Sequence, residues 1–278
     1  MNIIQRNFFR LLRSGAFESN EQIEPMSVFK WQKLYQMALM HDVAGFVYDG
    51  LLRCRSQFFL HLTDAQWSQW ENTVDNIRKN PRNDDAEEDE FLRADHLTNP
   101  VLNRKLQSVL DDENSDLKSR QTLLMIIRLS RHILNEGVPV RQLIELGTFL
   151  RTEGSGSDAT MLGLWIKNLR LQSVARLEAS LLILLLGFDR EEISFAGEKD
   201  DKHTELIARE LMEFTNTQVK DFYFYLSKEE GDVFVHTNNG SAMLGHIRRS
   251  ARYFRYYPSE TLTNFFASFA HSLSHIEE

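Results

Sequence analysis

The cluster in this chain best suited to chemistry is Gly154-Ser155-Gly156-Ser157-Asp158. Small residues let backbone N–H groups close around a phosphate. A phosphate loop also needs Gly-x-x-x-x-Gly-Lys-Ser/Thr after a strand, and no lysine follows Gly156. The residues before the cluster repeat apolar side chains at helical spacing, so the strand that opens a dinucleotide loop is lacking too. The spacing predicts a loop between two helices, with Ser157 or Asp158 capping the second.

Other reactive residue types are scattered. His271 and His275 stand four apart, a spacing that puts both on one helix face as metal ligands require. No glutamate lies between them as in His-Glu-x-x-His, and no third ligand is evident. Cys54 lies between Arg53 and Arg55, whose charges would favour the thiolate if they stayed close, but no base accompanies it. No Gly-x-Ser-x-Gly elbow connects a strand to a helix. These residues assign no catalytic group, no metal site and no cofactor.

The segment "HIRRSARYFRYYPSE" offers a surface instead. Arg248, Arg252 and Arg255 share a helical stripe with Arg249 adjacent, and Tyr253, Phe254, Tyr256 and Tyr257 interleave. Arginines among aromatics bind phosphates or stack on bases. They also occur where the rings enter a core and the arginines lie along it to reach carboxylates. Arg248, Arg249, Arg252, Arg255 and Tyr256 are the candidate binding residues.

Helices must position these groups. Only 13 glycines and 5 prolines interrupt the chain, and apolar residues recur at helical period. Helices are expected over 3–14, after Ser27, after Gly45, after Thr63 or Asp64, over 117–134, after Pro139, and over 159–170, 173–187, 203–215, 240–256 and 259–276. The expected fold is all-α. One β signal competes: "FYFYLSKEEGDVFVH" sets two alternating runs about a turn, a hairpin near 222–236 or else a helix ending at Gly231.

The totals bound the rest. A chain of 278 residues suffices for one large or two modest domains. The acidic, apolar-poor run "NPRNDDAEEDEF" reads as a linker, which divides the chain into 1–80, a linker or loop at 81–98, and a helical part at 99–278 that can pack with the first. A net charge of −8 argues against broad contact with nucleic acid or anionic membrane. One cysteine excludes an intrachain disulfide and fits a reducing cytoplasm. The N-terminus is amphipathic and lacks the features of a signal peptide. The most apolar run, Leu181 to Gly187, falls far short of the ~20 residues that span a bilayer.

Two stretches carry a resemblance. "FFRLLRSGAF" followed by "FKWQKLYQMALMHDVAGFVYDGLL" resembles the start of an uncharacterised bacterial nucleotidyltransferase family. "HILNEGVPVRQLIELGTFLR" is similar to that family's segment after its catalytic head, with Gly137, Arg141 and Gln142 in place. Glu145 and Leu146 stand where Asp-Trp is usual. The resemblance implies a Gly-Ser turn and, about ten residues later, an Asp-x-Asp strand holding two metals. Neither Gly156-Ser157 nor Gly240-Ser241 is followed by such carboxylates. The expectation is a degenerate relative that keeps the helical scaffold, lacks the catalytic head, and binds or regulates a protein partner. The alternatives are a transferase with a divergent site or a head supplied in trans, for which a nucleotide would be the ligand, and a scaffold with no small-molecule ligand.

Overall fold

The computed structural model describes residues 1–80, 92–113, 115–135, 138–154, 156–209 and 251–274. Ten α-helices lie wholly among these residues: α1 Ile3–Phe17, α2 Val28–Met40, α3 Ala44–Arg53, α4 Asp64–Lys79, α5 Pro100–Leu110, α6 Leu117–Asn135, α7 Val140–Arg151, α8 Ala159–Asn168, α9 Gln172–Leu186 and α10 Pro258–Ser274. Among the described residues there is no strand, and the fold is all-α. The expected hairpin at 222–236 lies outside them. No described helix is long and apolar enough to cross a membrane.

The chain forms two compact units. One comprises Met1–Ala86, Leu184–Gly187 and Glu205–Val233; the other comprises Glu87–Ile183, Phe188–Thr204 and Phe234–Glu278.

In the first unit, α1 starts on a reciprocal cap. Asn2 Oδ1 accepts from the Gln5 amide, and Gln5 Oε1 accepts from the Asn2 amide. The helix turns Phe8, Phe9, Leu11 and Leu12 inward, all 1% exposed or less. It meets α3 backbone to backbone, because Gly15 and Gly50 carry no side chain. A Cβ on Gly15 would strike the Phe46 carbonyl, and one on Gly50 would strike that of Leu11. α2 and α4 join through Tyr35, whose ring meets Trp70 edge-on at 4.9 Å and whose hydroxyl bonds Thr73 at 2.6 Å. The segment after α1 is held by charge: Arg6 and Arg10 reach Glu24 at 2.7 and 2.6 Å. Hydrogen bonding from Arg6 is the main reason the Glu24 carboxyl is lowered to about 2.

In the second unit, α6 is enclosed on all sides along its last turns, with every residue from Leu129 to Leu134 buried. Its period suggests one wet face, yet Ser130, Arg131 and His132 are inside. Buried polar groups need partners, and α9 and α10 supply them. Ser130 donates to Glu178 Oε1 at 2.9 Å, and Arg131 donates to Glu260 Oε1 at 2.7 Å.

Candidate functional site

The glycine-serine loop joins α7 to α8, as its spacing predicts. Asp158 is the cap: its Oδ1 accepts from the amides of Thr160 and Met161. Three of the loop's amides are already engaged. Gly154 N–H donates to the Phe149 carbonyl, Ser157 N–H to the Gly154 carbonyl, and Asp158 N–H to Ser119 Oγ. Gly156 takes a left-handed φ of 92°, which lets the chain turn. Gly154 lies against the Phe149 ring, where a Cβ would come to 2.9 Å. The glycines make a turn in which the amides of Gly154, Ser157 and Asp158 are bonded within the protein.

Cys54 is buried at 2% exposure, and burial raises its thiol above the ordinary value. The flanking charges do not reach it. Arg53 pairs with Glu18, and Arg55 lies over the Trp67 ring at 5.2 Å. His275 and the side chain of His271 lie outside the described residues. Among the described residues, no three His, Cys, Asp or Glu side chains group as metal ligands.

Of the resemblance-bearing residues, Gly137 lies outside the described residues. Arg141 and Glu145 form an i,i+4 ion pair at 3.0 Å on α7. Gln142 Nε2 stands 3.5 Å from His132 Nε2. Glu145, where the pattern has aspartate, is thus engaged on its own helix.

The Arg/Tyr segment is divided. Arg248 and Arg249 lie outside the described residues. Tyr253, Tyr256 and Tyr257 are 5% exposed or less and belong to the core. The Tyr256 hydroxyl donates to Asp201 Oδ1 at 2.8 Å, and that of Tyr257 to the Leu169 carbonyl at 3.0 Å. Burial, reinforced at Tyr256 by Asp201, raises both phenols. Arg255 is exposed and lies over the Tyr256 ring at 5.1 Å. Tyr253, Tyr256 and Tyr257 thus lie in the core, while Phe254 is 47% exposed.

Two features escaped sequence reasoning. The first is the buried carboxylate of Glu260. It receives Arg131, the Thr98 amide at 2.7 Å, the Thr98 hydroxyl at 2.9 Å and the Asn99 amide at 3.0 Å. Every bond ties one element to another, so the cluster is a staple.

The second lies on the surface of the first unit. Between α3 and α4, Phe58 is 79% exposed and Phe59 49%, with their rings edge to face at 5.2 Å. His61 joins them, its ring 5.8 Å from Phe58. The loop is built to hold them outward. Gln57 on one side bonds both the Glu21 carbonyl and the Ile23 amide, Leu60 turns inward, and Thr63 caps α4. Gln66, three residues into that cap, also donates to the Val28 carbonyl at 3.0 Å. Val28 and Phe29 thereby flank the same end of α4, 55% and 67% exposed. Exposed apolar side chains are ordinary when single, but grouped large ones mark interaction sites. The signal in the sequence was the pair Phe58-Phe59 in a segment with no helical period. No family model matches the chain, and no curated protein or solved structure does so either.

Proposed function

We propose that this protein is a helical, non-catalytic binding module that engages a protein partner through the first unit. The observation that carries this is the Phe58–Phe59 pair, held outward by a hydrogen-bonded loop. Keeping two large rings in water forgoes about 1.5–3 kcal/mol of burial for each, and a partner surface recovers it. The occupied amides of Gly154, Ser157 and Asp158 and the structural engagement of Glu260 and Glu145 agree with this reading. So does the resemblance of the helical segments to a nucleotidyltransferase family without its catalytic head.

Two measurements test the proposal. In the first, the full chain is incubated with each labelled nucleoside triphosphate and magnesium or manganese, alone and with extract of its host. No label should move to any acceptor; transfer that requires this chain would make it part of an enzyme. In the second, a photo-crosslinking amino acid replaces Phe58 in the host cell. It should capture a discrete partner, and a chain that captures none is not a module acting through this surface.

A further inference from the structure

We infer that the surface around Phe58 and Phe59 receives an acidic amphipathic segment of its partner, an inference that rests on the binding function proposed above. The two stretches that present the exposed rings are Pro25 to His41 and Gly50 to Thr63. Neither contains an aspartate or glutamate, in a chain with 40 acidic and 32 basic residues. Their cations are Lys30, Lys33, Arg53 and Arg55. Arg53 is taken by Glu18. Lys33 and Arg55 are exposed and rest on aromatic rings, with Lys33 Nζ 4.7 Å from the centre of Phe29 and Arg55 5.2 Å from that of Trp67.

A cation on a ring is held in place by the ring's negative face while its outer side remains free for an anion. The carboxylates that adjoin the two stretches are Glu24, Asp42, Asp49 and Asp64; Glu24 is held by Arg6 and Arg10, Asp49 faces Arg78, and Asp64 belongs to the first turn of α4, where the helix N-terminus favours it. The surface thus offers apolar area and positive charge together. Its complement is a segment with leucine or aromatic side chains among aspartates and glutamates. A net charge of −8 opposes a long polyanion such as nucleic acid or an anionic bilayer, whose field reaches the whole molecule. A short peptide meets only the local patch, because charges beyond a Debye length of about 8 Å are screened.

The test pans a random 12-residue phage library against the full chain and measures the selected peptides, labelled with fluorescein, by anisotropy. Three variants are compared: Phe58→Ser with Phe59→Ser, Lys33→Glu with Arg55→Glu, and Asn76→Ser as a control at an exposed position more than two turns along α4 from Trp67. The selected peptides should combine acidic with large apolar residues. Their affinity should fall at least about tenfold in each double variant and stay unchanged in the control, because loss of a central contact costs at least one decade. Unchanged melting temperatures show that the variants fold. Peptides that need Phe58 and Phe59 but are neutral or basic would overturn the acidic partner and leave the binding function standing. Selected peptides indifferent to both double variants would overturn the site, and so would an empty selection; the crosslinking experiment then judges the binding function separately. Equal or tighter binding of the same residues to phosphatidylcholine/phosphatidylserine vesicles or to a 20-residue oligo-dT would also overturn the inference.

Discussion

Arg131 and Glu260 meet 2.7 Å apart with both side chains essentially out of water, at 1% and 0% exposure. They lie 129 residues apart in sequence. The pair fixes α10 to α6, and the two amides that Glu260 also accepts fix the segment entering α5. Desolvating two charges is costly, and here it is offset by the full set of hydrogen bonds around the carboxylate.

Removing the carboxylate takes an acceptor from every group it holds. Glu260→Ala deprives the Arg131 guanidinium and the Thr98 and Asn99 amides of the carboxylate they share, so it should lower stability by about 3–5 kcal/mol. Urea unfolding followed by circular dichroism measures this. A loss below about 1 kcal/mol would mean that water reaches Arg131 and that the staple is not closed.

Glu178 is a different buried acid. It receives one hydrogen bond, from Ser130, while its Oε2 has no partner. Burial raises its carboxyl well above the ordinary value. The folded state therefore keeps a proton that the unfolded chain releases above its ordinary value. Stability should fall as pH rises past that value, at about 1.4 kcal/mol per pH unit, until the folded group ionises. Glu178→Gln removes this slope. The variant should match the parent near pH 4 and become progressively more stable than it at higher pH, as melting curves across pH 4–8 would show. Parallel curves for the two proteins would contradict a buried neutral Glu178.

The loop at 154–158 makes a stability prediction where a phosphate loop would make a binding one. Asp158→Ala removes the two amide bonds that start α8 and should cost about 1 kcal/mol. Thermal-shift profiles against nucleotides should be flat for both parent and variant. A nucleotide-induced shift lost on substituting Asp158 would return the loop to chemistry.

These cases show which layer of the molecule a sequence expresses. Most helices, two of their caps and the α7–α8 loop were legible because they depend on neighbours a few residues away: Thr63 and Asp158 cap the helices that begin directly after them, whereas Ser27 makes no side-chain cap bond and α5 was not expected. The Arg131–Glu260 staple was not legible, because period alone does not say that the last turns of α6 are enclosed on every side. Glu178 left a faint trace as the sole acid in the apolar helix "QSVARLEASLLILLL". The tyrosines of 253–257 were legible as rings but not as buried ones, since an aromatic flanked by arginines serves a core as readily as a surface. Phe58 and Phe59 posed the opposite problem. Their exposure depends on Gln57 bonding residues 36 and 34 positions earlier.

The central claim is that Phe58 and Phe59 contact a partner protein, and photo-crosslinking from position 58 in the host cell tests it most directly. The probe should give one discrete adduct that is absent when the same probe replaces Asn76 and is lost when Phe59→Ser and Arg55→Glu are added to the probe-bearing chain. No adduct at position 58, or an adduct equally strong from position 76, would contradict the account.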